Sequence, residues 1–485
     1  MYLGYYREFL NLVAANPPKN FSELFVILGL MFKGALTTAK ALWFFLLNLR
    51  VFITGPEGWY CARLVSAFCG VATIGLTYLL ARRYFRSTRI ALLSALFLAL
   101  LPSHVFYSRL GMQESLSALL FLGAIYLYLF PSSISWRIPV SAFLLSCVFF
   151  TNYRMIIAPV FLVAIELFES FKDKQPPQWK KLMIGIGVFV IIVWGVGSLY
   201  GGVNRYVTFG WMTHQAQEAQ GQRNLLSLFS YPYYVFALEG ILFALLFWAN
   251  TYFVVKKQWS KLFPFILVLI QMIGFSLAAE KGARYLCVVL PFMAVAAAVS
   301  ADFFLNSARK KIYGIIIAVV CLGMTIESWK IAISSTDYAK AVHIVLAHDP
   351  KAKMLSTQFL VEQLYVKDEK IIKDCPKNLS DFIILYQQGY HYLILDPQAY
   401  ISWTKDAQRF SPPLIDFLEF IRARATPLVV LDHLNAPLLK RFVLDHNQNL
   451  TQSIKFLSSA SGAGHGQIRI YDIGQCLLLL KQQAI

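Results

Sequence analysis

The sequence predicts a mainly α-helical protein with many membrane spans, followed by a small α/β domain. Of its 485 residues, 58% are hydrophobic and only 14% are charged, whereas a soluble domain averages about 25% charged residues. Apolar runs of about 20 residues, the length of a membrane-spanning helix, recur as far as residue 330. Beyond residue 331, charges of both signs alternate with short apolar segments, which is typical of a soluble domain.

The apolar runs are predicted to be spans because each is close to the roughly 20 residues that cross a bilayer as a helix. They lie at 62–82, 90–107, 114–131, 182–200, 233–254, 262–279, 286–305 and 312–329. The stretch 138–170 would be about 48 Å long as a single helix, at about 1.5 Å per residue. It is therefore predicted to form two short spans that turn at Asn152–Arg154. About 10–12 spans are expected in total, and residues 1–20 do not resemble a cleavable signal peptide.

The net charge of +18 is interpreted as a topology signal, and nucleic acid is not expected as a partner. Lysines and arginines concentrate in short loops between the apolar runs, at 82–89, 172–181, 256–261 and 309–311. By the positive-inside rule these loops face the cytoplasm. The outward-facing segments are then predicted to be 51–62, 103–113, 152–154, 201–232, 279–285 and everything after about 331.

The last segment, 337–485, is predicted to be a single α/β domain outside the cytoplasm. Strands are expected at 353–357, 390–396, 426–432 and 467–473, with a helix at 411–424. Pro412 and Pro413 suit the start of that helix, and Gly389 suits a turn into a strand. The sequence contains no glycine-rich nucleotide motif. Of the seven cysteines, only Cys375 and Cys476 could meet in this domain.

Charged side chains gather on the predicted outer face, where the positive-inside rule does not account for cations. They are Arg109, Glu114, Arg154, Arg205, His214, Glu218, Arg223, Glu280, Lys281 and Arg284. Any one of them could be an interfacial anchor or half of an ion pair. Together they indicate a site for an anionic headgroup, because arginine and lysine bind phosphate oxygens and a carboxylate can act as a base.

Three segments together resemble the polyprenyl-phosphate-sugar-dependent glycosyltransferases of the GT-C fold, a group that includes protein O-mannosyltransferases and lipid A aminoarabinose transferases. The segments are RLVSAFCGVATIGLTYLLARRYF (63–85), ALLSALFLALLPSHVFYSRLGMQESLSALLFLGAIYLYLF (91–130) and EKGARYLCVVLPF (280–292). The resemblance covers about residues 1–330, here divided into 1–61 and a membrane domain at 62–330. It implies an enzyme that takes a sugar from a polyprenyl phosphate at the outer face of the cytoplasmic membrane. The acceptor would be an outward-facing lipid, glycan or protein of the cell envelope, and the transfer would proceed with inversion.

The resemblance also implies roles for the charged residues. Those expected to hold the donor phosphate are Lys281, Arg284, Tyr285, Arg109 and Arg154. Those expected on the acceptor side or its loop are His214, Arg205 and Arg223. Glu114 matches the position where the family carries an acid at the outer end of a span. Fixed cations stabilise the phosphate leaving group, and an inverting displacement needs one base on the acceptor hydroxyl.

The N-terminal region departs from the family pattern. Family members begin with a membrane helix followed by an acidic pair, whereas this chain begins MYLGYYREFLNLVAANPPKNF, in which Glu8 follows the tyrosines. Residues 1–61 are therefore predicted to be an outer juxtamembrane region that lacks an upstream span, although 21–50 could equally be one more span. The missing piece is expected to carry the main catalytic acid. Otherwise Glu8 or Glu57 acts as a substitute base, or the protein is inactive.

Two other functions compete with the transferase. A lipid or sugar transporter would use an intramembrane charge such as Glu239, but no matching halves with broken helices are apparent in the sequence. A membrane scaffold without chemistry is consistent with the missing acids. No cofactor follows from a motif. His214 with nearby acids could bind a divalent metal, yet a single loop histidine is more often a polar surface residue.

Overall fold

The structure is a computed structural model of the whole chain. The residues it describes are 13–36, 40–49, 51–54, 60–130, 136–199, 228–277, 281–334, 337–366, 368–397, 410–432, 436–445, 450–458 and 466–483. They form two compact units, each described by itself below. The first contains the described residues up to 277 together with 283–332, and the second contains 281–282 and the residues from 333 onward.

The first unit is helical. Its helices are α1 Phe21–Ala35, α2 Ala41–Asn48, α3 Tyr60–Phe85, α4 Thr88–Leu100, α5 Pro102–Arg109, α6 Glu114–Leu129, α7 Arg137–Thr151, α8 Ala158–Asp173, α9 Trp179–Leu199, α10 Ser230–Glu239, α11 Ile241–Trp248, α12 Asn250–Val255, α13 Phe263–Ser276, α14 Leu290–Leu305 and α15 Lys310–Ile333. One further helical turn lies at Val51–Thr54, and 3₁₀ segments lie at Tyr153–Ile157, Trp259–Lys261 and Ala283–Val289.

The centre of this unit is α14, whose sequence LPFMAVAAAVSA is buried from Leu290 to Ala301. A run of alanines allows neighbouring helices to approach closely, as small residues do at helix interfaces in membranes. α14 packs against α4, α11 and α13. By contrast, α3, α9 and α15 expose apolar side chains such as Phe68, Trp194 and Leu322. An apolar outer surface of this kind suits a lipid environment.

Four of the described helices are long and apolar enough to cross a membrane, and the bent pair α4–α5 makes a fifth if it counts as one span. The axes of that pair differ by 57° at Leu101. At other predicted spans the structure has shorter apolar helices, among them α6, α7 and α13. A helix of 14 residues such as α13 is about 21 Å long, less than the roughly 30 Å hydrocarbon core. The total of 10–12 spans therefore stays a prediction.

The predicted interruption within 138–170 is confirmed. Helix α7 ends at Thr151, Asn152 adopts an extended conformation (φ −151°, ψ 104°), and a 3₁₀ segment precedes α8. The Asn152 side chain accepts a hydrogen bond from the backbone N–H of Arg154 at 3.2 Å. This local bond offers the backbone an alternative to continuing the helix.

The chain also breaks between Arg109 and Glu114, at Gly111, a residue type that readily adopts the backbone conformation needed there. α5 ends at Arg109 and α6 begins at Glu114, while Gly111 has φ +65°. A Cβ atom at Gly111 would lie 3.1 Å from the backbone nitrogen of Arg63. The Ser66 hydroxyl lies 3.1 Å from the carbonyl oxygens of both Tyr107 and Met112 and can donate to either. These contacts fix the direction in which α6 leaves the break.

The second unit contains a five-stranded sheet flanked by helices. Its elements are α16 Tyr338–His348, β1 Lys353–Ser356, β2 Ile372–Asp374, α17 Leu379–Gln387, β3 Tyr390–Leu395, α18 Pro412–Arg424, β4 Val429–Asp432, α19 Ala436–Asp445, α20 Leu450–Ser458, β5 Gln467–Asp472 and α21 Ile473–Gln483, with a helical turn at Phe359–Glu362. The strand order is β2-β1-β3-β5-β4. β1 is parallel to β2 and β3, while β5 is antiparallel to β3 and β4.

The predicted strands and the helix at 411–424 of this unit are confirmed, whereas β2 was missed because it has only three residues. In β3, Leu393 and Leu395 belong to one core cluster and Ile394 to the other, as expected from side chains that alternate between the two faces of a sheet. Gly389, with φ +93°, precedes β3 as predicted. Cys375 and Cys476 are both free thiols, and both are buried in the same cluster.

The break at Gly111 leads to a stability prediction. Gly111→Ala places a side chain in a left-handed conformation and against the backbone of α3, so it should destabilise the first unit by about 1–2 kcal/mol. Gly75→Ala, in the interior of α3 with no atom within 4 Å of the added Cβ, is the matched control and should stabilise the helix by about 0.5–1 kcal/mol. Thermal unfolding in detergent measures both. Equal midpoints for the two variants would contradict the proposed constraint.

Candidate functional site

A cluster of charged residues lies where helices of the first unit are interrupted. Lys40 immediately precedes α2 and lies within electrostatic range of Glu114, Arg284 and Arg154. Glu114 is the first residue of α6, while Arg154 and Arg284 both belong to 3₁₀ segments. These residues are far apart in the sequence, and the fold brings one carboxylate and three cations together.

An aromatic ring joins two of the cations. The guanidinium carbon of Arg154 lies 4.3 Å from the centre of the Tyr285 ring, and that of Arg284 lies 5.5 Å from the same centre. Cations are attracted to the face of an aromatic ring when they lie within about 6 Å of its centre. Tyr285 therefore holds two like charges near each other without neutralising either.

The ring and the two 3₁₀ segments are held by buried contacts. The side-chain amide of Gln271, on α13, donates to the carbonyl oxygen of Tyr285 at 2.7 Å, and the Tyr285 ring packs against Phe275 at 5.1 Å between centres. On the other side, the Tyr153 hydroxyl donates to the carbonyl oxygen of Leu36 at 3.4 Å. This bond ties the segment that carries Arg154 to the segment that leads to Lys40.

Glu114 is almost completely buried, with 3% of its surface exposed. One carboxylate oxygen accepts a hydrogen bond from the Gln113 side-chain amide at 3.0 Å. Its position in the first turn of α6 also suits a negative charge, because the helix macrodipole is positive at its N-terminus. A buried carboxylate beside fixed cations is a suitable base when a substrate hydroxyl comes within hydrogen-bonding distance.

The charge balance of the cluster is positive. Burial lowers the pKa of Lys40, Glu114 raises it, and Arg284 and Arg154 lower it further through repulsion. One carboxylate and three cations leave an excess of two positive charges when all are ionised. Such an excess attracts an anion, and arginine side chains are well suited to bind phosphate. The arrangement can therefore hold a phosphate group next to a carboxylate.

The predicted site residues are distributed unevenly. The structure brings Glu114, Arg154, Arg284 and Tyr285 together. It directs Arg109 to another partner, since its Nη1 donates to the carbonyl oxygen of Ile331 near the end of α15. Lys281 is buried and groups with the second unit. The remaining candidates lie outside the described residues, namely Glu8, Glu57, Arg205, His214, Glu218, Arg223 and Glu280.

Lys40 is the functional candidate that sequence reasoning missed. It follows TTA within a largely apolar stretch, in a region predicted to lie on the outer side. An isolated lysine in such a stretch is costly to bury unless it has a role or a partner. The cost of burying a lysine could have marked Lys40 as a candidate in the sequence. No spacing rule, however, connects Lys40 to residues more than 70 positions away.

Two further candidate roles can be compared with the structure. Glu239, the basis of the transporter hypothesis, accepts a hydrogen bond at 3.2 Å from the backbone N–H of Ser103, in the first turn of α5. It therefore satisfies one of the N–H groups that a helix start leaves unpaired. Within the residues that the structure describes, no group of three or more metal-ligating side chains is found.

Comparisons with known proteins agree with this fold. Residues 40–196 match the family model described as dolichyl-phosphate-mannose-protein mannosyltransferase, and no curated protein matches the chain. The apo crystal structure of ArnT from Cupriavidus metallidurans is similar in fold, with a TM-score of 0.50 and 15% identity over 75% of this chain and 83% of ArnT.

A second structural neighbour is the Archaeoglobus fulgidus oligosaccharyltransferase in complex with Zn and sulfate. Its TM-score is 0.50 at 11% identity, over 86% of this chain and 66% of the oligosaccharyltransferase. Both neighbours have the GT-C fold. The resemblance indicated by the sequence motifs is therefore confirmed, and this chain is similar to the GT-C fold glycosyltransferases.

Proposed function

We propose that this chain is a membrane glycosyltransferase that moves a sugar from a polyprenyl phosphate to an outward-facing acceptor, with inversion. The observation that carries the proposal is the set of charges within electrostatic range of Lys40, namely the buried carboxylate of Glu114 and the guanidinium groups of Arg154 and Arg284. The match of residues 40–196 to a family whose donor is a dolichyl phosphate sugar supports it. This match includes three of the four charged residues and lacks Arg284.

The cations act on the donor. When the glycosidic bond breaks, its electron pair stays on the phosphate oxygen, so negative charge grows on the polyprenyl phosphate that leaves. Lys40, Arg154 and Arg284 stabilise that charge because they are fixed before the reaction starts. Tyr285 orients the two arginines, and Lys281 and Arg109 stay proposed donor contacts on the strength of the family resemblance.

Glu114 acts on the acceptor. It removes the proton of the acceptor hydroxyl as the oxygen attacks the anomeric carbon from the side opposite the phosphate, which inverts that centre. The acceptor is a lipid, glycan or protein of the cell envelope. The predicted outward-facing segment 201–232, with Arg205, His214 and Arg223, is the proposed contact region. The α/β unit lies outside the cytoplasm and supports acceptor binding.

Removing cations should weaken donor binding. Each charge-assisted contact with phosphate is worth about 1.5–3 kcal/mol, so Lys40→Ala and Arg284→Ala should each lower transfer efficiency by about 10- to 100-fold at limiting donor. Arg89→Ala is the control, because Arg89 is exposed and pairs with Asp302 at 3.5 Å. Transfer of radiolabelled sugar from the purified donor measures the effect. Wild-type turnover in the Lys40→Ala/Arg284→Ala double variant would refute the donor site.

Removing the carboxylate should slow the chemical step instead. Glu114→Gln keeps the shape but loses the base, so kcat should fall by about 10²- to 10⁴-fold. Donor affinity should be kept or increased, because the variant removes a negative charge near the phosphate. Glu327→Gln, at an exposed position of α15, should have wild-type kinetics. If Glu114→Gln raised KM for the donor without lowering kcat, Glu114 would be a binding residue and not the base.

The location of the second unit can be tested separately from the chemistry. A reporter fused after residue 485 that is active only outside the cytoplasm should give a signal, and one active only inside should not. The expected result follows from the basic loops, which face the cytoplasm by the positive-inside rule. The opposite pattern would place the α/β unit in the cytoplasm and exclude a role on an outward-facing acceptor.

A further inference from the structure

The second unit contains a buried polar cluster that the proposed reaction does not use. The carboxyl ends of the parallel strands β1 and β3 lie side by side, and the residues that follow them are Thr357 and Asp396. The Thr357 hydroxyl donates to the Asp396 carbonyl oxygen at 3.1 Å and accepts from the Asp396 N–H at 2.8 Å. Both residues are buried. The two strand ends are therefore fastened to each other.

Side chains from two neighbouring segments complete the cluster. The hydroxyl of Tyr338, at the start of α16, donates to the Asp396 carboxylate at 2.8 Å. Glu362, in the connection from β1 to β2, is completely buried. Neither of its carboxyl oxygens makes a hydrogen bond of full geometry within the described part of the chain, although the Ser356 hydroxyl lies near enough to favour the charged form.

The surroundings of Glu362 do not compensate a negative charge. Burial raises the pKa of its carboxyl to about 8, the Ser356 hydroxyl lowers it, and the charge of Asp396 raises it again. Among the described residues, the groups that act on the neighbouring Tyr338 are Asp396, Glu362 and Tyr365, none of which is a cation. An uncharged carboxyl fits the site, whereas a carboxylate would be buried beside a second carboxylate.

We propose that Glu362 is a proton-operated latch, which keeps the turn at Phe359–Glu362 packed against β1 and β2 when protonated and releases it when ionised. The geometry explains both states. The protonated carboxyl can remain buried beside Asp396 and Ser356. The ionised carboxyl is repelled by Asp396 and is stabilised by water, which it reaches only if the turn at Phe359–Glu362 moves outward.

The direction of the pH dependence follows from the raised pKa of Glu362. Below about pH 4.5, the ordinary pKa, the carboxyl is protonated whether the connection is closed or open, so the closed state is fully favoured. Between about 4.5 and 8 only the closed state keeps the proton, and closure weakens as pH rises. Above 8 both states are ionised and the dependence ends. If the unit is outside the cytoplasm, as proposed above, it meets the pH of the surroundings directly.

Hydrogen exchange of the full-length protein in detergent, followed by mass spectrometry, tests the latch. After correction for intrinsic exchange, opening of residues 357–366 should rise about 10-fold per pH unit between pH 6 and 8 and then level off. In Glu362→Gln this rise should be absent. Asp396→Asn should move the levelling-off to lower pH, because it removes the neighbouring charge. Glu419→Gln, whose glutamate pairs with Arg422 on the surface of α18, should behave as the wild type.

The latch is excluded if wild-type opening of 357–366 does not change with pH, or if Glu362→Gln retains the wild-type pH profile. Peptides from α18 provide the reference within the same molecule, because a rise confined to 357–366 separates latch opening from unfolding of the whole unit. If Glu362→Gln fails to fold, the wild-type profile and Asp396→Asn still decide between the two outcomes.

Discussion

Repulsion among partly buried cations is the interaction on which the candidate site of the first unit depends. Burial lowers the pKa of Lys40, Glu114 raises it, and repulsion from Arg284 and Arg154 lowers it further, so both arginines lie within electrostatic range of the Lys40 ammonium group. The surrounding packing holds the cations in place despite this repulsion, through the Tyr285 ring and the hydrogen bonds from Tyr153 and Gln271. In the proposed function a phosphate binds between the cations and relieves the repulsion, so its binding should also stabilise the fold.

The same cluster explains why so many apolar segments are interrupted. Non-helical backbone is tolerated at membrane depth only where it is buried in protein or lines a polar cavity. Each charged residue of the site lies at such an interruption, either at a helix start or in a 3₁₀ segment. The freed backbone groups have partners, as at the break after α5, where the Ser66 hydroxyl lies within hydrogen-bonding distance of two carbonyl oxygens. The interruptions that make the helices short therefore also bring the charged residues of the site into one region.

Much of this arrangement could be predicted from local chemistry, and the rest could not. The break at 152–154 was predicted because a single helix over 138–170 would be too long for one span. The strands of the second unit were visible because apolar and polar residues alternate in them. β2 was too short to form a pattern. Lys40 was missed because its significance depends on Arg154 and Arg284, and contacts between distant segments follow from packing, which residue spacing does not encode.

The most direct test of the account is the equilibrium affinity of the purified protein for a polyprenyl monophosphate compared with the uncharged polyprenol of the same length. The two ligands share the apolar chain and differ only in the phosphate. Because at least two charge-assisted contacts to the phosphate are proposed, we expect a preference of about 100-fold or more for the phosphate, which decreases in Lys40→Ala. Equal affinity for the two ligands would contradict it.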